Sequence, residues 1–402
     1  MISSHQELRC SFCGKPESEI KKLLEGGGNY ICDECILFGV QYISDEEPIV
    51  SEGLLKPIDI KKFLDNYVIS QDKAKTVLSV AVYNHFKRLN HSNPNVELQK
   101  SNIALIGFSG TGKTLLAQTL ARILNVPFTI ADATSLTESG YVGSDVESIF
   151  QPLLTTHSVE EVEKAIVYID EVDKKARKSS SNPSLTRDVS GESVQYALLK
   201  LLEGSVIDIP NVGKRKHPNE HCTRLDTSNI LFILGGAFNG LADIIAERQA
   251  KNTMGFLSEK NTVDTKKREN ALLQEVTHKD LINFGIIPEL AGRIPILATL
   301  NDLNVDDLCK ILIEPKNSLV SQYKEFLAMD NVELIFEPDA LREIAKKANK
   351  MGTGARGLRS IMEDLMLSIM FEVPSENVEK CIVTKECVTD RIKPKKVIKK
   401  AA

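Results

Sequence analysis

Gly107-Phe108-Ser109-Gly110-Thr111-Gly112-Lys113-Thr114 is the stretch on which the reading of this chain turns. It fits the spacing GxxxxGK[ST], and its flanks fit as well. An apolar run, Ile103–Ile106, precedes it, and a helical pattern, Leu115–Leu124, follows. Glycines let backbone N–H groups turn inward around phosphate oxygens, and the helix N-terminus adds a favourable dipole. In that setting Lys113 neutralises the β- and γ-phosphates and Thr114 offers its hydroxyl to Mg²⁺. A glycine-rich turn without a ligand would explain neither flank. The other half of such a site is Ala165-Ile166-Val167-Tyr168-Ile169-Asp170-Glu171. Its apolar strand buries itself in a sheet and delivers Asp170 beside the metal. Glu171 is then placed to polarise the attacking water, because phosphoryl transfer depends mainly on positioning and charge neutralisation. ATP and magnesium are the expected ligands.

Outward from these motifs the chain alternates short apolar strands with helices, as in a parallel sheet with crossover helices. The strand candidates are Ile103–Ile106, Phe128–Ala131, Ile166–Ile169 and Ile230–Leu234. Residues 61–90 have helical periodicity. After Leu303 strands become sparse, and patterns such as Val305–Ile313 and Asp339–Ala348 predict a second, mostly helical domain with a little sheet near Val332–Phe336. The expected division is a cysteine-bearing unit over 1–43, a linker over 44–60, a large α/β ATPase domain over 61–302, a small domain over 303–390 and a solvated basic tail over 391–402.

The bulk numbers agree with a multidomain soluble protein. At 402 residues the chain exceeds the size at which one core stops growing. Hydrophobic content of 42% and charged content of 26% are ordinary for globular proteins. A net charge of −5 gives no global drive toward nucleic acid or an anionic membrane. No apolar run is long enough to span a bilayer. The first residues carry neither a signal-peptide core nor an arginine-rich presequence, which predicts a cytoplasmic protein.

Four of the eight cysteines form two CxxC pairs, Cys10/Cys13 and Cys32/Cys35, with 18 residues between the pairs. That spacing suits a four-cysteine zinc ribbon, in which two knuckles aim four thiolates at one Zn²⁺. The short unit has few apolar residues, so metal binding supplies much of its folding energy. Residues 7–35 carry four basic against six acidic side chains, which argues for protein interaction over a phosphate backbone. The other cysteines, Cys222, Cys309, Cys381 and Cys387, read as reduced thiols.

Several features lie outside the ATP motifs. Gly140-Tyr141-Val142-Gly143 is an aromatic-aliphatic pair between glycines, either a gripping surface or a surface turn. Arg293, after Pro288 and Gly292, and Arg356, in Gly352-Thr353-Gly354-Ala355-Arg356-Gly357, are either site arginines or surface ion-pair partners. The stretch Lys251–Asn270 is long, polar and lysine-rich yet encloses Met254-Gly255-Phe256-Leu257, an arrangement suited to a partner's hydrophobic cleft. No polar sensor residue stands out after the Ile230–Leu234 strand.

Taken together, the CxxC pairs, GxxxxGKT, GYVG, IDEVDK, RDVSGE, RKHP, the glycine-phenylalanine loop and GARGLRS resemble the ClpX family of AAA+ unfoldases from the cysteine unit to about residue 390. The resemblance implies a homohexamer with ATP sites between subunits that threads unfolded or tagged proteins, delivered directly or by adaptors, through a central pore into the ClpP peptidase. It implies that Tyr141 and Val142 grip substrate, that Arg215, Lys216 and His217 form a basic loop at the pore entrance, and that Ser179–Ser190 is a second pore loop. It makes Arg293 the arginine presented to a neighbour's γ-phosphate and Arg356 the sensor arginine of the small domain. It places Val68 and Ile69 against adenine, extends the ATP contacts through Leu115, and makes Met254, Gly255 and Phe256 the peptidase-docking tripeptide, with Met254 where the family carries isoleucine. Phe108 stands where a proline is common.

Two rival readings are weighed against this one. A nucleic-acid motor or clamp loader would carry basic instead of aromatic pore loops. A zinc-bearing protein that uses ATP only as a switch has no need of Glu171. No peptidase nucleophile constellation is evident, so proteolysis requires a partner.

Overall fold

The computed structural model describes residues 8–16, 20, 22–36, 54–91, 93, 95–137, 144–177, 191–210, 222–252, 265–390 and 392–398. The chain divides into two compact units, Met1–Gly53 and Leu54–Ala402.

In the first unit, strands Leu23–Gly26 and Asn29–Cys32 pair as an antiparallel hairpin. Gly27 and Gly28 link them with φ of 59° and 80°, the consecutive left-handed pair that a tight two-residue hairpin demands. The hairpin brings Cys32 toward Cys10, and both are fully buried.

The second unit is built on a five-stranded, all-parallel sheet. Its strand order is Ile296–Thr299, Ile103–Ile106, Leu231–Gly236, Ile166–Asp170, Phe128–Asp132. Side chains alternate across a strand, so each strand feeds two cores. Ile103, Leu105, Ile166, Tyr168, Leu231 and Ile233 pack on one face with Leu116 and Leu120 of the helix Lys113–Leu124. Ala104, Ile106, Val167, Ile169, Phe232 and Leu234 pack on the other with Val194 and Leu198 of the helix Glu192–Glu203. Burial on both faces explains why these strands read as unbroken apolar runs.

Two departures from the expected element boundaries bear on the packing. The strand expected over Ile230–Leu234 begins at Leu231 and continues through Gly235 and Gly236. A Cβ on Gly235 would stand 2.0 Å from the Tyr168 hydroxyl, so glycine is what lets the neighbouring tyrosine lie across this strand. Pro57, read as linker, instead opens the helix Pro57–Asp65, where its missing N–H is harmless and its φ already helical.

A third core belongs to helices Val305–Ile313, Leu319–Met329, Pro338–Met351 and Ala355–Glu372. Against them lies a three-stranded sheet in the order Glu333–Phe336, Val378–Val383, Lys395–Ile398. This corrects the reading of 391–402 as a solvated tail. Lys395–Ile398 is an edge strand, antiparallel to Val378–Val383. Lysines of the strand and of the residues before it are ion-pair partners: Lys396 reaches Glu376 at 2.7 Å and Glu372 at 3.0 Å, and Lys393 reaches Glu372 at 2.7 Å. Charge density alone suggested disorder, but lysine is also what protects an exposed sheet edge from further pairing.

Candidate functional site

The P-loop follows the Ile103–Ile106 strand at the carboxyl edge of the sheet, where open parallel sheets bind ligands. Gly110 and Gly112 are left-handed, with φ of 77° and 100°, and Lys113 begins the helix. Lys113 is buried, and its Nζ donates to the carbonyls of Gly107 at 2.6 Å and Phe108 at 3.0 Å. Burial pushes its ammonium below the ordinary lysine range, while Asp170 and Asp173 pull the other way. A phosphate beside Lys113 would restore the charge that burial disfavours.

Asp170 ends the strand Ile166–Asp170, which lies between Leu231–Gly236 and Phe128–Asp132 in the sheet. The Thr114 hydroxyl donates to its Oδ2 at 3.1 Å, so a hydroxyl and a carboxylate converge where one cation could touch both. The Asp170 Oδ1 accepts from the Tyr168 hydroxyl at 3.1 Å and from the Glu171 N–H at 3.0 Å. Burial and the neighbouring Asp170 charge push the Tyr168 phenol well above its usual range, which keeps it a donor. Glu171 is left-handed, φ 55° and ψ 32°, and exposed. A non-glycine residue in that conformation is strained by of order 1–3 kcal/mol, and such strain clusters where a side chain must be aimed.

These residues line a cavity of about 720 Å³, a volume typical of small-molecule sites. Ser109, Gly110, Gly112, Lys113, Thr114, Leu115, Asp170, Glu171 and Arg356, all named from sequence, are among its walls. Arg356 comes from the C-terminal lobe and its guanidinium donates to the Ser109 hydroxyl at 3.4 Å. The backbone follows: Ala355 N–H donates to the Gly110 carbonyl at 3.1 Å.

Other expected residues lie elsewhere. Val68 is buried with its Cγ1 4.0 Å from where a Cβ on Gly112 would stand, but neither it nor Ile69 lines the cavity. Arg293 is outside the cavity, half-exposed, and paired with Glu203 at 2.9 Å. Tyr141, Val142, Arg215, Lys216, His217, Met254, Gly255 and Phe256, with the stretch Ser179–Ser190, lie outside the described residues.

Several lining residues were given no role by the sequence reading, and two of them, Asn239 and Asp173, shape the site. Asn239 lines the cavity, three residues past the strand Leu231–Gly236. Asp173, buried, accepts the N–H groups of Ala237 and Phe238, each at 3.3 Å, and so shapes the turn that presents Asn239. The available signal was the glycine pair Gly235-Gly236, which marks a strand running on toward the site.

In the N-terminal unit the sulfurs of Cys10, Cys13, Cys32 and Cys35 all lie within 4.8 Å of one another. Cys13 and Cys32 are 3.6 Å apart and Cys10 and Cys35 4.0 Å, bracketing the about 3.8 Å that tetrahedral thiolates around zinc require. The Cys32 N–H donates to the Cys10 sulfur at 3.3 Å and the Cys35 N–H to the Cys32 sulfur at 3.4 Å, the outer-shell support usual for thiolate ligands. All eight cysteines are free of disulfides. The donor set fits zinc, as the Thr114, Asp170 and P-loop set fits magnesium and ATP.

Among the described residues no helix is long and apolar enough to cross a membrane. Comparison with known families matches residues 98–297 to the AAA domain (Cdc48 subfamily), residues 8–45 to the ClpX C4-type zinc finger, and residues 303–384 to the C-terminal, D2-small domain of ClpB protein. The chain is 48% identical over 401 residues to the ATP-dependent Clp protease ATP-binding subunit ClpX of Bacteroides thetaiotaomicron, covering 96% of this chain and 95% of that protein. With its zinc unit, its AAA ATPase domain and its small domain all matched in order, the chain belongs to the ClpX family of AAA+ ATPases.

Proposed function

We propose that this chain is an ATP-dependent protein unfoldase and translocase, the substrate-specificity subunit of a Clp-type protease, working as a homohexamer in the cytoplasm. The observation that carries the reading is the meeting of a hydrolytic set with an arginine from the second lobe. Thr114 and Asp170 converge at 3.1 Å beside Glu171, while Arg356 reaches the P-loop at Ser109.

In this reading Lys113 and the P-loop amides hold the phosphates, Thr114 and Asp170 hold magnesium, and Glu171 takes the proton of the attacking water. Val68 and Ile69 flank adenine. Arg356 senses the phosphates from within the chain, and Arg293, on the surface beside Glu203, is offered to a neighbouring subunit's site. Magnesium supplies charge neutralisation for the transferred phosphoryl group. Cys10, Cys13, Cys32 and Cys35 hold zinc in a protein-interaction unit. Tyr141 and Val142 grip the translocating chain, Arg215, Lys216 and His217 select it at the entrance, and Met254, Gly255 and Phe256 dock the ClpP peptidase.

The test mixes the full chain, ATP and ClpP with a stably folded, tagged substrate and follows loss of the substrate. Degradation is expected with the wild-type chain and not with Glu171→Gln, which should still bind ATP. Substrate loss without ATP, or at the wild-type rate in the variant, would overturn the reading.

A further inference from the structure

Ser70 and Gln71 are consecutive and both left-handed, with φ of 57° and 64°. Neither is glycine, so the surroundings must over-determine this turn. Its effect is to drive the Gln71 side chain inward, where it is 2% exposed. There the amide engages both backbone groups of one residue. Its Nε2 donates to the Asn301 carbonyl at 2.8 Å, and the Asn301 N–H donates to its Oε1 at 2.7 Å. The same Nε2 also donates to the carbonyl of Thr111, within the P-loop, at 3.4 Å.

Asn301 lies in the connection between the last sheet strand, Ile296–Thr299, and the first helix of the C-terminal lobe, Val305–Ile313. That connection is held from its other side too. The Asn301 Oδ1 accepts from Gln274 at 3.0 Å, and Asn270 Oδ1 accepts the Asp302 N–H at 3.0 Å. The neighbouring Leu300 abuts the first P-loop glycine: a Cβ on Gly107 would stand 2.9 Å from the Leu300 Cβ. The turn before Gln71 reaches further into the lobe, with Ser70 donating to Asp307 and the Asn66 carbonyl accepting from the Lys316 N–H at 3.0 Å. One buried amide therefore joins the loop that holds phosphates to the segment that orients the second lobe. Burying a polar amide costs free energy unless its partners are present, so any displacement of Thr111 or Asn301 alone would strand it.

We propose that Gln71 is a positioning residue for ATP hydrolysis, latching the connection at Asn301 to the P-loop at Thr111 so that phosphate contacts and lobe orientation change together. The inference rests on the nucleotide reading of the cavity. Gln71→Met preserves length and apolar bulk while removing the amide. Gln71→Glu keeps the oxygen that accepts from Asn301 but turns a carboxylate on two carbonyls.

The test measures three things on the full chain: affinity for a fluorescent ATP analogue, kcat and KM for ATP, and hydrogen exchange at 300–307 with and without ATPγS. In Gln71→Met we expect nucleotide affinity within about threefold of wild type and kcat lowered about tenfold, as misplacement remote from the chemistry can do. The nucleotide-dependent change in exchange should persist in the P-loop and be lost at 300–307. Gln71→Glu should lower kcat further. Wild-type kcat with an intact response at 300–307 would overturn the proposal, as would a fall in kcat matched by the loss of folded protein in a thermal melt. A wild-type chain that fails to bind the analogue would instead sink the reading of the cavity, and this proposal with it.

Discussion

Gly110 and Gly354 face one another across the two lobes with no room for a side chain on either. A Cβ on Gly110 would stand 2.3 Å from the Thr353 carbonyl oxygen, and one on Gly354 would stand 2.9 Å from that of Gly110. Both residues have positive φ, 77° and 59°. The contact lets the backbone carrying Arg356 lie directly on the phosphate loop.

Gly110→Ala should therefore push the lobes apart at the site. ATP turnover should fall about a hundredfold, the scale expected for a misplaced catalytic constellation. Gly352→Ala is the control: it too is left-handed, at φ 67°, but its nearest obstacle is the flexible Lys266 Nζ at 3.9 Å. It should cost about 1 kcal/mol of stability and spare turnover. Steady-state ATPase assays and thermal melts of the two variants check both halves, and equal turnover in the two would discount the contact.

The cysteine cluster makes a separable prediction. Removing metal with a chelator, or replacing Cys10 with serine, should unfold the N-terminal unit, because structural zinc supplies on the order of 10 kcal/mol to such small folds. ATP hydrolysis by the Leu54–Ala402 unit should stay within about twofold. Limited proteolysis read by mass spectrometry, alongside an ATPase assay, distinguishes loss of the one from loss of both.

His85 gives stability a pH dependence. It is 3% exposed, and among the described residues neither ring nitrogen has a hydrogen-bond partner within normal geometry. Burial, reinforced by the charges of Arg88 and Lys100, lowers its pKa from 6.5 to about 3. A base whose folded pKa is depressed binds its proton more readily when unfolded. Its contribution is thus intact above pH about 6.5 and is lost progressively as pH falls toward about 3. Between pH 7 and pH 5 the loss should be about 2 kcal/mol. Burial likewise lowers Lys100 to about 7, but that group acts in the window above pH 7, and carboxylates held below their usual range, such as Asp72 and Asp280, act near pH 4 and below, which leaves the window between pH 7 and pH 5 to His85. His85→Phe should flatten the acid limb in urea melts, and an unchanged slope would assign it to other groups.

The C-terminal edge strand predicts a cost for truncation. Ending the chain at Pro394 removes Lys395–Ile398 and the Lys396 pairs with Glu372 and Glu376. The exposed ion pairs contribute little individually, so most of the about 1–3 kcal/mol expected comes from the lost ladder and uncovered sheet edge. A melt of the truncated chain identical to wild type would return the segment to the status of a tail.

Much of this architecture is local and was legible as such. The P-loop's glycines, the apolar run into Asp170-Glu171 and the CxxC pairs each need only their own neighbours to declare their chemistry. The alternation of strand and helix announced a parallel sheet for the same reason: burial on both faces leaves a continuous apolar run. Local signals failed where the deciding partner was distant. Asn239 was missed because its turn is shaped by Asp173, 64 residues before Ala237. The final lysines looked like a solvated tail because Glu372 and Glu376, which bind them, belong to an earlier helix end.

The amino-acid sequence by itself thus determined the fold class, the ligands and the residue types that handle them, since these follow from spacing and periodicity along the chain. Tertiary structure alone decided which of those residues meet. It brought Arg356 onto Ser109, put Arg293 outside the cavity beside Glu203, and buried Gln71 between Thr111 and Asn301. The physical reason is that hydrogen bonds and steric contacts between distant segments depend on how the lobes pack, and no periodicity along the chain encodes that distance.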